Sequence, residues 1–580
     1  MTGTGAPSRD RVNRRSVLAT VGTGASLATA GCAGLFSHVS SLDDQLSVTI
    51  TTVPDDDDRQ SNGIFKYLET ALEAAGIDVG VELRTTAQLQ QKVLVDQEFD
   101  IFVARHPGFK HPDGLYELLH SRFASEPGWQ NPYGVTHMDL DEHLEAQRHL
   151  TGEERTAAIG DALDIVLKEK PFVPVCAPST YYAVNPEQFG GWDRQTFRTR
   201  LGFVDLDPAD GVDAFTGLVT DSRPTVNLNP LAVQYRRTGV YTSLLYDSLA
   251  TESNGDLIPW LASDWEWADD RVTATLRPDV TFHDGESLTA TDVAFTFDFL
   301  EDLSLGRAES PIPASRFRRH TSTVETVTPV DDETVEITVS TNRTVGASAL
   351  TVPILPEHVW RPIVTELEQE TASTGPWLRE ELHAETIPRT GSGPYRFDGW
   401  TQGDQVTFTR FDEHFAIDDP DLPSAPVDQL QVQSAPNGST AIGLVDRGDA
   451  TALVTPIESH VVGETESTET AKRISDPNWA FYQVGFNTRE PPFSNFRFRQ
   501  AVASLIDREW LASEVFHGHA RPIAVPDMES AAIDDYTWNG ADPETPFVGT
   551  DGEVDVEAAR DLFEVASYRY NDEGELVVND

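Results

Sequence analysis

Lysine is almost missing from this chain: there are six in 580 residues, beside 37 arginines and 95 acidic residues, and the formal charge is -52 at pH 7. A surface that negative repels phosphate backbones and anionic head groups, which excludes nucleic acid as a partner. Dense carboxylates with scarce lysine are the composition of a proteome adapted to high salt, where they keep surfaces hydrated. Cysteine is as rare. Cys32 and Cys176 are the only two, too few for a disulfide scaffold or for a multi-cysteine metal or iron–sulfur site. Past residue 31 no apolar run approaches the ~20 residues that span a bilayer. At ~100–200 residues per domain, the length predicts about three to five folding units.

What is present begins with residues 1–31, which read as a targeting segment. Arg14-Arg15 precede a weakly apolar run from Val17 to Ala30, interrupted by Gly22, Thr23, Gly24 and Ser26. That order resembles a twin-arginine export signal. The run meets Thr29-Ala30-Gly31-Cys32, similar to a lipobox, in which Cys32 becomes the lipidated first residue. A membrane span is too long for this run. The expectation is export and a lipid anchor on the outer face of the cell membrane. Cys176, between Pro174-Val175 and Ala177-Pro178, reads as an inert core thiol.

After a polar tether (32–45), Leu46 to Ile50 alternates as a strand, and Ser61 opens a helix with Ile64, Leu68 and Leu72 on one face, ended by Gly76. Val79 to Leu83 and Phe99 to Val103 read as further strands, which predicts a largely parallel α/β layer. Thr151 and Glu154 have the spacing of a capping box, as do Thr289 and Asp292. From about residue 213 the texture turns β-rich, with clean alternation at 335–339 and 405–409.

Catalytic signatures are wanting. There is no phosphate loop ending in Lys-Ser or Lys-Thr and no Gly-x-Ser-x-Gly elbow. His106 and His111 are separated by Pro107 and lack a third metal ligand nearby. Asp55 to Asp58 reads as a solvated acidic loop, and His283-Asp284-Gly285 as a turn. The chain is read as neither an enzyme nor a cofactor or metal protein.

A series of segments carries a resemblance. Tyr241 to Leu249 and Pro259 to Trp265 are followed by Leu276-Arg277-Pro278-Asp279-Val280-Thr281-Phe282-His283-Asp284-Gly285 through Asp292-Val293. Gly391-Ser392-Gly393-Pro394-Tyr395, Phe486-Asn487-Thr488 to Phe493, and Arg497 to Val502 continue the series. Together they resemble the family 5 extracellular solute-binding proteins of ABC importers, the group of oligopeptide, dipeptide and nickel receptors. The resemblance implies a type II periplasmic-binding-protein-like α/β fold, two lobes closing over a solute, with a β-rich insert in one lobe. It implies docking on ABC permease subunits as a monomer; a receptor that reports to a membrane sensor would use the same closed surface.

The order of parts is unusual. About 180 residues precede the segment with which the family usually starts, and they resemble the part that usually ends it. The expectation is a circular permutation, with residues 46–175 and 476–580 forming one lobe and 176–475 the other, and crossings near Val173–Tyr181 and Ile474–Tyr482. The rival is a receptor fragment fused to a truncated receptor. Contact between residues 566–580 and the strand at 46–51 separates the two.

Ligand residues follow from the resemblance by position. Family peptide receptors hold the ligand amine with an Asp, and this chain has Lys110 there, followed by His111-Pro112-Asp113. Lys110 would suit an anionic or sugar-like group rather than a peptide amine; a slip of alignment would make Asp113 the amine partner. Phe109, Thr225, Val226, Trp400, Trp479, Tyr482 and Asn487 complete the expected lining.

Overall fold

The computed structural model describes residues 44–577 apart from 198, 222, 233–239 and 371–388; the expectations for Arg14, Arg15 and Cys32 lie outside the described residues. Two mixed sheets organise the chain into two α/β lobes, the type II binding-protein-like architecture.

The first sheet contains β1 (Ser47–Thr52), β2 (Asp78–Leu83), β3 (Ile101–His106), β4 (Phe172–Pro178), β5 (Phe481–Phe486) and β6 (Ala520–Pro522), in the order β2-β1-β3-β5-β4-β6. β1 runs parallel to β2 and β3, whereas β5 runs antiparallel to β3 and β4. Period-2 alternation divides β3 between two cores. Ile101 and Val103 meet α1 (Arg59–Ala74) and the late residues Phe498, Phe563 and Leu576 on one face. Phe102 and Ala104 meet α2 (Asp113–Leu119), α3 (Met138–His149) and α4 (Gly152–Glu169) on the other.

The two stretches of chain that build this lobe meet directly. Leu46 N donates to Leu576 O at 2.7 Å, and Leu576 N to Gly76 O at 2.8 Å. Tyr570 OH donates to Ala75 O at 2.9 Å. Gly76, at φ 87°, sits so close to Gly574 O that a Cβ would collide with it.

The second sheet has seven strands, in the order Tyr395–Thr401, Gln405–Arg410, Gln429–Ser434, Ala214–Val219, Ala452–Leu453, Tyr181–Val184, Lys472–Ser475. A four-stranded antiparallel sheet, from Ala262–Ala268 to Val324–Pro329, shares its core: Trp260, Phe297, Ile337 and Trp360 pack with Phe215 and Phe408. The chain passes between the lobes from Pro178 to Tyr181 and returns from Ser475 to Phe481. Asp476 N donates to Thr180 O at 3.4 Å, so the two passages touch.

Two helix starts differ from expectation. Asp58, not Ser61, caps α1: its Oδ1 accepts from Gln60 N and Ser61 N, both at 3.1 Å. Thr151 makes no side-chain cap bond, because Gly152 at φ 58° leads the backbone into α4 by another route. The Thr289–Asp292 capping box is formed.

Candidate functional site

In an open α/β sheet the carboxyl ends of parallel strands leave loops free to face a ligand, most of all where the strand order reverses. In the order β2-β1-β3-β5-β4-β6 that point lies between β1 and β3. The loop after β1 presents Asp55 to Asp58, the loop after β2 Thr85 and Thr86, and the end of β3 Arg105 and Pro107. With Thr180 and the 476–482 passage, these residues form one wall of a cavity of about 680 Å³. The other wall comes from the second lobe: Asp221, Arg223, Val226 and Glu458. The volume falls within the ~300–1,000 Å³ of ligand clefts.

Both signs of charge line it. Seven carboxylates (Asp55 to Asp58, Asp221, Glu458 and Asp476) face three arginines (Arg59, Arg105 and Arg223). Several are held in place. Tyr482 OH donates to Asp58 Oδ1 at 3.2 Å, which fixes the phenol against the start of α1. Asp57 Oδ2 accepts from Thr86 N at 2.7 Å. Arg223 Nε donates to both Asp221 oxygens, at 2.8 and 2.9 Å, and Arg223 Nη1 reaches across to Gln90 Oε1 at 3.3 Å. Beneath the cavity Cys176 is sealed in β4. Burial, and then the Asp58 charge, push its thiol well above its ordinary range, so it carries no nucleophile.

Of the residues anticipated as ligand contacts, Val226, Trp479 and Tyr482 line this cavity. The others are placed elsewhere. Lys110 Nζ is 2.6 Å from Glu252 Oε1 of the second lobe and 3.7 Å from Glu529 Oε1. Its charge is met by protein carboxylates outside the cavity. Asp113 is buried at the start of α2, 2.9 Å from Arg148 Nε. Phe109 packs on Gly114 and against His106. Thr225 is fully buried, and its carbonyl accepts from Gly403 N. Trp400 lies under the Arg389 guanidinium at 3.9 Å. Asn487 Nδ2 donates to Phe99 O at 2.9 Å and braces the end of β5.

Among the lining residues not anticipated as ligand contacts are Asp55 to Asp58, expected to be only a solvated acidic loop, and Arg105. Their signal was positional: each lies at the carboxyl end of a strand that was itself recognised.

A second hollow, of about 710 Å³, lies on the outer face of one lobe around Asp292, Glu357 and Arg361. Its polar groups are already engaged: His358 Nε2 lies 2.9 Å from Asp284, and Arg361 Nε donates to Glu357 at 2.6 Å. Away from the crossings the lobes also touch through Arg318 Nε and Glu126 Oε2 at 3.0 Å, and through Asn342 N donating to Arg148 O at 2.7 Å. Among the described residues no helix is long and apolar enough to cross a membrane, and no cluster of three His, Cys, Asp or Glu could hold a metal ion.

A putative ABC transporter peptide-binding protein of Brucella ovis is 26% identical over 329 residues, 54% of this chain and 55% of the relative. The glutathione-binding protein GsiB of Pectobacterium atrosepticum is 26% identical over 274 residues, 47% of each chain. The solved oligopeptide-binding protein AppA of Bacillus subtilis, in complex with a nonapeptide, is 20% identical with a TM-score of 0.46, covering 63% of this chain and 66% of that one. This chain spans about half the length of the curated relatives it matches. Residues 256–579 match the model of bacterial extracellular solute-binding proteins, family 5 Middle, and the chain belongs to that family.

Proposed function

We propose that this protein is an extracellular receptor that closes its two lobes over a small peptide-like solute and delivers it to an ABC importer. The cavity of about 680 Å³ carries the reading, because both lobes line it and both crossings border it. A ligand held there touches both walls only when the lobes are together, so binding favours closure by the contacts the open form lacks. Its mixed charge suits an amphoteric solute better than a sugar.

The same reading includes attachment through a lipid on Cys32 and export directed by Arg14-Arg15, both outside the described residues. It also includes a rotated order of parts, with residues 46–175 and 476–580 making one lobe. The shared core of Val48, Ile101, Phe498, Phe563 and Leu576 supports that rotation, as does the bond from Leu46 to Leu576. Two incomplete lobes joined by fusion would instead leave open sheet edges.

The test is native mass spectrometry of protein purified from its own host, followed by calorimetry with the solute identified. A peptide-like compound of matching mass, bound one to one, is expected. Protein that stays empty and binds no member of a peptide, amino-acid and sugar panel would sink the receptor reading.

A further inference from the structure

The three arginines of the cavity are not equivalent. Arg59 Nε lies 3.4 Å from Asp55 Oδ2, and Arg223 is clamped on Asp221. Arg105 is the next-to-last residue of β3, on the strand face that carries Ile101 and Val103. Its backbone pairs with Tyr482. It is half-buried, lines the cavity, and among the described residues its guanidinium has no hydrogen bond, ion pair or ring contact. In a chain with 95 acidic residues, seven of them lining the same cavity, this is not for want of partners.

A guanidinium cannot shed its charge. Left half-buried and unpaired, it carries a desolvation penalty that a bound anion would relieve. Two further groups lining the cavity share this incompleteness. Gln60 is 4% exposed and Thr180 is 6% exposed. Neither Gln60 Nε2 nor Thr180 Oγ1 has a hydrogen-bond partner among the described residues. All three can donate hydrogen bonds, which calls for an acceptor. The surrounding carboxylates disfavour a doubly charged phosphate more than a singly charged carboxylate.

We infer that Arg105 is an anion subsite that receives a carboxylate of the solute, with Gln60 and Thr180 as supporting donors. This deepens the receptor reading and rests on it. The carboxylate would meet the planar fork of Arg105, while the solute's cationic part faces the acidic loop after β1.

The test uses the full protein with a pool of Ala-Xaa dipeptides, the same pool as C-terminal amides, phosphoserine and maltose, read by melting temperature and calorimetry. The free-carboxylate pool should bind about 30-fold or more tighter than the amides. Arg105→Gln should abolish that preference while melting, unliganded, no lower than wild type. A residue with a merely structural role would lower it. Amides that bind as well as free acids, phosphoserine binding more tightly than the acids, or a preference retained in Arg105→Gln would each overturn the subsite. If no probe shifts the wild type, the receptor reading itself fails and takes the subsite with it.

Discussion

Lys170 Nζ lies 2.8 Å from Asp542 Oδ2, with both side chains sealed from water and 372 residues apart in the chain. Arg508 Nη2 reaches the same oxygen at 2.9 Å. One carboxylate thus holds two cations and joins the end of α4 to the carboxyl-terminal part of the chain. Burial opposes its charge, but Arg508 and Lys170 together keep the Asp542 carboxyl below its ordinary range. Asp542→Asn leaves two buried cations short of a partner and should lower stability by about 3–5 kcal/mol. Urea unfolding checks this. A loss below about 1 kcal/mol would show that the triad contributes little.

The contact of Leu46 with Leu576 predicts a second outcome. Joining residue 577 to residue 45 by a short linker, and opening the chain at Asp210–Gly211 in an exposed loop, would undo the proposed permutation. That rearranged protein should fold with stability within about 2 kcal/mol of the original, since cuts in surface loops between packed elements are mild. Leu576→Ala, at a fully buried site, should cost about 2–5 kcal/mol in either version. A rearranged chain that collects as aggregate, while the parent folds, would argue for the fusion reading.

Across the lobes, Arg318 Nε pairs with Glu126 Oε2 at 3.0 Å and Nη1 with Glu301 Oε2 at 2.8 Å. Arg318→Ala removes one of the ion pairs that cross between the lobes and should favour the open form by about 1.5–3 kcal/mol, typical for hydrogen bonds to a charged group. Small-angle scattering of the unliganded variant should show a larger radius of gyration. An unchanged radius would mean that the other contacts between the lobes, such as Lys110 with Glu252, are enough to hold closure.

Glu117 supplies a pH dependence at the same interface. Burial raises its carboxyl from 4.5 to about 7, although Arg319 works against the shift. The folded state therefore binds this proton more tightly than the unfolded chain. The resulting stability is present in full below about pH 4.5 and is lost as pH rises to about 7. Glu117→Gln should flatten that part of the stability curve and be at least as stable as wild type near pH 8. Urea midpoints across this range decide it; a slope unchanged in the variant would place the titration elsewhere.

Much of the strand pattern was legible in the residues, because half-buried strands such as Val48-Thr49-Ile50 and Val335-Glu336-Ile337 alternate with period 2. Capping was legible only where nothing competed. Thr289 and Asp292 form their box, whereas a carboxylate three residues upstream of Ser61 takes the cap of α1. Lys110 shows why site residues were harder to read. Its partner Glu252 is 142 residues away, and no local pattern encodes that meeting. Val226, Trp479 and Tyr482 line the cavity because they border segments where the chain changes lobe or enters the cleft. Trp400 and Asn487 have similar residue types but lie where neighbouring strands and loops absorb them.

The position of Leu46 has a mechanical consequence. β1 is six residues long, ~20 Å at ~3.3 Å per residue. The cavity lies beyond its Thr52 end and the seam with Leu576 at its Ser47 end. A pull applied between residues 45 and 577 would load only that short seam and the hairpin beside it. The two passages between the lobes lie outside that path, so such a load is separated from the cleft by the length of β1.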